Sequence, residues 1–338
     1  MNMFHQPLLA QWVTRDQRSP LRGPWRGALC QELPLLYYEF NGLDAASAKV
    51  AETLLKTDKT PQIEALRQEV LQLIFSLPPV PPDEEQLAPN FTRMVWEAQK
   101  SLQWAQRFQR SLYDLFAADQ VDDKSAAYRR ILAAYLQQPE ALTPLALDVG
   151  GKLWSFAESK SFQQRHRKLN AQIWSSFWLQ SAVFEMQLRD NTRRQKEALP
   201  GMIKFYHGYL KNPPEEWLHS PLTAQVAPLF KRRFPEAAHI LDNLHMFHDN
   251  INDILARPDL FPTPADKRRR ILDVLAIYLH RNQSRAGSPY AEYRLQGQGP
   301  NIDLGPQPPA ADRVLGTSPT GMMKTGPHSR EWRHDHFR

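Results

Sequence analysis

Apolar residues recur along most of the chain at intervals of three and four, which gathers them on one face of a helix. Asp44 opens one such pattern through Val50, Leu54 and Leu55. Thr60 followed by Pro61 reads as a cap with proline at the first helical position, leading into Ile63, Leu66, Val70, Leu73 and Leu77. From Asn90 a long amphipathic helix sets Phe91, Val95, Ala98, Leu102, Ala105, Phe108, Leu112 and Phe116 on one side, with Arg and Gln opposite. The pattern predicts further helices at about 123–138, 161–190, 201–211, 214–232, 235–256 and 264–281. Between Ile173 and Val183 the helix 161–190 is apolar round most of its circumference, as befits one surrounded by others. No run alternates apolar and polar residues for long enough to make a sheet. An all-α, multi-helix bundle is expected.

Proline divides the pattern. Residues 78–89 hold five prolines with Asp83, Glu84 and Glu85, an extended acidic connector that separates a small helical unit, 1–77, from a main bundle, 90–282. Beyond His280 the periodicity stops, and residues 283–338 are expected to be a disordered tail because they hold too few large apolar groups to offset the cost of ordering. The last stretch, His328 to Arg338, is dense in aromatic and basic groups, as a docking motif or an unselected polar terminus would be. One internal echo exists. Asp114-Leu115-Phe116, Lys124, Arg129 to Leu132 and Tyr135-Leu136 resemble Asp259-Leu260-Phe261, Lys267, Arg269 to Leu272 and Tyr278-Leu279, with unequal spacings that chance explains as readily as duplication.

Composition narrows the function classes. Seven of the 14 glycines lie between Gly287 and Gly326, and no GxGxxG or GxxxxGK[ST] run occurs, so the Gly-rich phosphate loops are missing. Cys30 is the one cysteine, which excludes an internal disulfide and a cysteine-based zinc cluster. The net charge of +6 splits evenly between residues 1–280 and the rest, leaving the body without a global field for nucleic acid. No secretory signal is evident before Arg15, and the most apolar stretch, Ile173 to Met186, is shorter than the roughly 20 residues of a membrane span. A cytoplasmic protein without a membrane contact is expected.

Candidate chemistry concentrates in the helix 235–256. Its wheel places Ile240, Leu244, Phe247, Ile251, Ile254 and Leu255 on the apolar face, His248 at the edge, His245 just beyond, and Asp242, Asp249 and Asp253 on the polar side. Asp242, His245 and Asp249 are spaced to meet on one face, and bundles build di-metal sites from such pairs. His245, His248, Asp242 and Asp249 are therefore candidate ligands for a divalent metal such as Fe, Mn or Zn, and His248 beside the aromatic helix 161–190 could serve a haem. Against this, the acids point away from the apolar face, where they would make ordinary surface pairs. A second candidate is Lys267, Arg268, Arg269 and Arg270, which open a helix where its dipole disfavours cations and so form a candidate patch for an acidic protein, a phosphate or RNA. The leading expectation is a cytoplasmic helical protein acting by protein–protein contact, as an adaptor, assembly or regulatory factor. The alternatives are a metal-dependent bundle enzyme and an RNA-binding protein.

Overall fold

The computed structural model describes residues 23–284 except 24, 58, 148–155, 190 and 217–219, together with Ala311. Among the described residues there are fifteen helices and no strand, so the fold is all-α. In the first half these are α1 (Ala28–Glu32), α2 (Pro34–Lys56), α3 (Thr60–Phe75), α4 (Glu84–Leu87), α5 (Pro89–Met94), α6 (Trp96–Ala117) and α7 (Lys124–Leu136). The second half holds α8 (Ser161–Arg165), α9 (Arg167–Arg189), α10 (Thr192–Lys211), α11 (Thr223–Val226), α12 (Pro228–Arg233), α13 (Pro235–Leu255) and α14 (Pro264–Tyr278), followed by α15 (His280–Ser284).

The second seven helices repeat the first. α1 and α8 have 5 residues each, and α2 and α9 have 23 each. Likewise α4 and α11 have 4, and α5 and α12 have 6. The joints match as well. α1 and α8 follow residues in the left-handed region, Gly27 at φ 79° and Lys160 at φ 66°. They end at Leu33 and His166, both at φ −132°, before the long helix resumes. Val95 (ψ 62°) and Phe234 (ψ 62°) break the chain in the same way between α5 and α6 and between α12 and α13.

Aligned by these joints, Gln86-Leu87-Ala88-Pro89 faces Gln225-Val226-Ala227-Pro228, and Leu102, Phe108 and Asp114 face Leu241, Phe247 and Asp253. The echo seen in the sequence is thus half correct. Arg130-Ile131-Leu132 does correspond to Arg270-Ile271-Leu272, whereas the partner of Asp114 is Asp253 and not Asp259.

Several expected helices are broken at those joints. The helix from Asn90 divides at Val95, and 161–190 divides at His166. In place of one helix over 214–232 stand α11 and α12, and the connector 78–89 contains α4. α10 starts earlier than expected, running through Pro200, and α14 stops at Tyr278. It stops because the backbone crosses there: Leu142 and Leu279 form an isolated antiparallel bridge, and the His280 amide donates to the Ala141 carbonyl at 2.8 Å.

Buried side chains from Trp25 to Tyr278 form one main hydrophobic cluster, to which both sides of the 78–89 connector contribute. Its axis is a column of rings. Phe40 (α2) stacks on Tyr113 (α6) at 4.4 Å, Tyr113 on Phe184 (α9) at 4.3 Å, and Phe184 on Phe230 (α12) at 4.2 Å. Ala311 is fully buried in the same cluster; the rest of the expected tail beyond Ser284 lies outside the described residues. No helix among the described residues is long and apolar enough to cross a membrane.

Candidate functional site

The short helices lack caps of their own. A helix start leaves its first N–H groups without intrahelical acceptors, yet neither α1 nor α8 has a capping side chain beside it in sequence. Each is capped from a distant long helix. Asp114 accepts from the Leu29 and Gly27 amides at 2.8 and 3.1 Å, and Asp253 accepts from the Phe162 and Lys160 amides at 2.8 and 2.9 Å. Proline opens α5 and α12, and the next two amides of each go to one carboxylate. Glu52 takes Asn90 and Phe91 at 3.0 and 3.1 Å, and Glu185 takes Leu229 and Phe230 at 2.9 and 3.2 Å. Asp242 accepts from the Thr223 amide at the start of α11 at 2.7 Å.

This capping overturns the wheel reading of α13. Asp242, Asn243, His245, Asn252 and Asp253 are all buried, so the polar side faces inward, against α8, α11 and the segment 141–145, rather than water. Asn243 donates to the carbonyls of Thr143 and Leu145 at 2.8 and 3.0 Å, and His239 Nδ1 lies 3.0 Å from the Pro144 carbonyl. Burial raises the Asp242 and Asp114 carboxyls to about 6, against the lowering pull of their amide donors. It raises Asp253 well above the ordinary carboxylate range.

His245 and His248 are brought together around Phe177 of α9. The His245 ring stacks on Phe177 at 4.2 Å, and the His248 ring lies 6.0 Å from it. His245 Nε2 is 2.9 Å from Gln180 Oε1, and with that amide orientation the imidazole donates through Nε2. Its Nδ1 is then a buried lone pair with no hydrogen-bond partner. Burial, with His248 beside it, lowers His245 to about 3, and burial lowers His248 to about 4, so both rings are neutral at neutral pH. Asp249 accepts from the Ser220 hydroxyl, and burial raises it to about 7.

Of the four candidate ligands, the structure joins His245 and His248, gives Asp249 to Ser220 and gives Asp242 to α11. Among the described residues no three His, Cys, Asp or Glu side chains converge on a point that could hold a metal ion.

This is also where the two halves differ chemically. The position matching Asp249 holds Arg110, and that matching Phe177 holds Asp44; Arg110 and Asp44 pair at 2.6 Å, with Asn41 3.0 Å away. One repeat therefore fills the gap between its long helices with an ion pair, and the other fills it with imidazole, phenyl and carboxyl groups.

The basic cluster does not form one open patch. Lys267 is buried. Arg268 donates to Glu97 at 2.7 and 2.9 Å and to the Met94 carbonyl at 2.8 Å. Arg269 pairs with Asp266 at 3.0 Å, and Arg270 holds Glu158 at 2.5 Å with its guanidinium 4.3 Å above the Phe156 ring. Arg268 and Arg270, which looked misplaced against the helix dipole, are held by acids of other segments, which sequence spacing cannot reveal.

A feature that the sequence did not indicate is a cleft of about 390 Å³, whose walls include Arg67 from α3, Lys168 from α9 and Lys211 from α10. These three cations are more than forty positions apart in the chain, so no local motif marks them.

No family model matches the chain, and no curated protein or solved structure is similar to it.

Proposed function

We propose that this is a cytoplasmic helical protein acting by protein–protein contact, as an adaptor, assembly or regulatory factor. One observation supports this reading above others: the acids that could have carried chemistry on α13 are engaged in holding the bundle together, capping helix starts or meeting Ser220. A group so engaged is not free to serve a substrate, and activity then falls to the surface. There Trp96 is 48 % exposed, and aromatic side chains of this kind are favoured contact anchors. Cross-linking of the full chain in its own cells, followed by size separation of the native extract, tests the reading. A stoichiometric complex well above the 39.1 kDa of one chain is expected. A free monomer that turns over a small molecule would sink it.

A metal-dependent enzyme is the second reading, favoured by the buried, unpartnered Nδ1 of His245 beside His248. Elemental analysis of untagged protein decides it. A full equivalent of Fe, Mn or Zn supports the reading, and traces that reconstitution does not raise remove it.

A further inference from the structure

We propose that the cleft between α3, the start of α9 and the end of α10 binds a small phosphorylated ligand. Three cations from three helices border it, Arg67, Lys168 and Lys211, and Asn212, Pro213 and Pro214 complete one wall. Its volume, about 390 Å³, lies within the roughly 300–1,000 Å³ of small-molecule sites. The repeat supplies an internal control for the cations. Arg167 and Lys168 open α9, and the matching residues opening α2 are Pro34 and Leu35. The fold thus builds the same helix start without charge, and nothing structural requires two cations there.

The two cations are, moreover, placed where they are least favoured. α9 has no acid in its first turn, so its positive end faces Arg167 and Lys168 uncompensated by its own side chains. Lys168 meets Glu215 at 3.6 Å, and both side chains are about half exposed. Arg67 is fixed by Glu64 at 2.7 Å, with 12 % of its own side chain exposed against 54 % for Glu64. The Lys168 pair is of the exposed kind that contributes little, and a multiply charged anion competes with it readily. Lysine acts as a point charge toward phosphate, and Lys211 sits 5.5 Å from the Phe75 ring at the end of α3. Glu216, exposed and the one acid among the described residues that line the cleft, suits a hydroxyl or ammonium group on the same ligand. The chemistry is that of a phosphate ester.

Isothermal titration of the full chain at low salt tests this, with glucose 6-phosphate as probe and glucose as its uncharged counterpart. One equivalent of the phosphate ester is expected to bind and glucose is not. The double variant Lys168→Ala/Lys211→Ala should weaken binding at least tenfold, while Arg193→Ala, at a pair with 88 % exposure of the arginine, leaves it unchanged. Matching thermal melts establish that the variants are folded. Absence of heat at millimolar ester, equal binding of glucose, or equal weakening by Arg193→Ala overturns the proposal. So does binding of a hexaglutamate peptide where the ester fails, which would make the cleft a seat for an acidic protein segment.

Discussion

Asp249 shows how one buried carboxyl sets a pH dependence. Its pKa is raised to about 7 by burial from an ordinary 3.8, so between these values the folded chain holds a proton that the unfolded chain has lost. Its contribution to stability is whole below about 4 and falls as pH rises toward 7, at about 1.4 kcal/mol per pH unit for a single such group. Asp249→Asn keeps an acceptor for Ser220 and carries no charge. It is expected to unfold at higher urea than the parent at pH 8 by about 1 kcal/mol or more, with the gain shrinking toward pH 5. Equal midpoints at both pH values would contradict this. His245 works in the opposite sense. Lowered to about 3, it costs stability as pH falls below its ordinary 6.5, because the unfolded chain then binds the proton and the folded chain does not. Of this site the sequence disclosed the residues and their spacing on one helix. It could not disclose their surroundings, because α8, α9 and α11 enclose α13 and each meets it through backbone amides or rings that have no sequence signature.

Among the elements, long helices were legible and most of their interruptions were not. Periodicity locates α3, α7 and α13 closely because each buries a regular stripe. Val95 and His166 break the chain with no glycine or proline beside them, whereas Leu33 and Phe234 precede Pro34 and Pro235, and α1 and α8 begin without a local Ser, Thr, Asp or Asn cap. The caps are long-range, so their loss should be felt as a tertiary defect. Asp253→Ala leaves the Lys160 and Phe162 amides without acceptors, and about 2–4 kcal/mol of stability is expected to go. Asp253→Asn keeps one acceptor oxygen and should cost less; an alanine variant as stable as the asparagine one would refute the capping role. α2 and α3 offer a second test. A Cβ on Gly42 would stand 2.8 Å from Ile74 Cα and 2.9 Å from the Leu73 carbonyl oxygen, both backbone atoms that cannot turn aside. Gly42→Ala is expected to lower stability by about 1–3 kcal/mol in chemical denaturation. The second repeat has Ser175 at the matching place, so its helix pair does not share this close approach.

Across the whole molecule the aromatic column decides cooperativity. Tyr113 of the first half stacks on Phe184 of the second, joining the Phe40–Tyr113 pair to the Phe184–Phe230 pair, and His207 meets the buried Glu39 at 2.7 Å from the other half. The full chain should melt in one transition by calorimetry, and a fragment ending at residue 147 should show none. Two separate transitions would mean that the repeats are independent. The duplication itself was barely legible, because what it preserves is joint geometry and two pairs of carboxylates, while most surface and many core residues have changed. One of those pairs also bears on synthesis. The α1 amides wait for an acceptor at Asp114, 85 residues beyond Leu29. A chain leaving the ribosome therefore carries the start of α1 bare until α6 has emerged and turned back onto it. A helix made before α6 is thus secured only after it, and for that interval the nascent chain presents the apolar side of α1 and α2 to whatever chaperone is near.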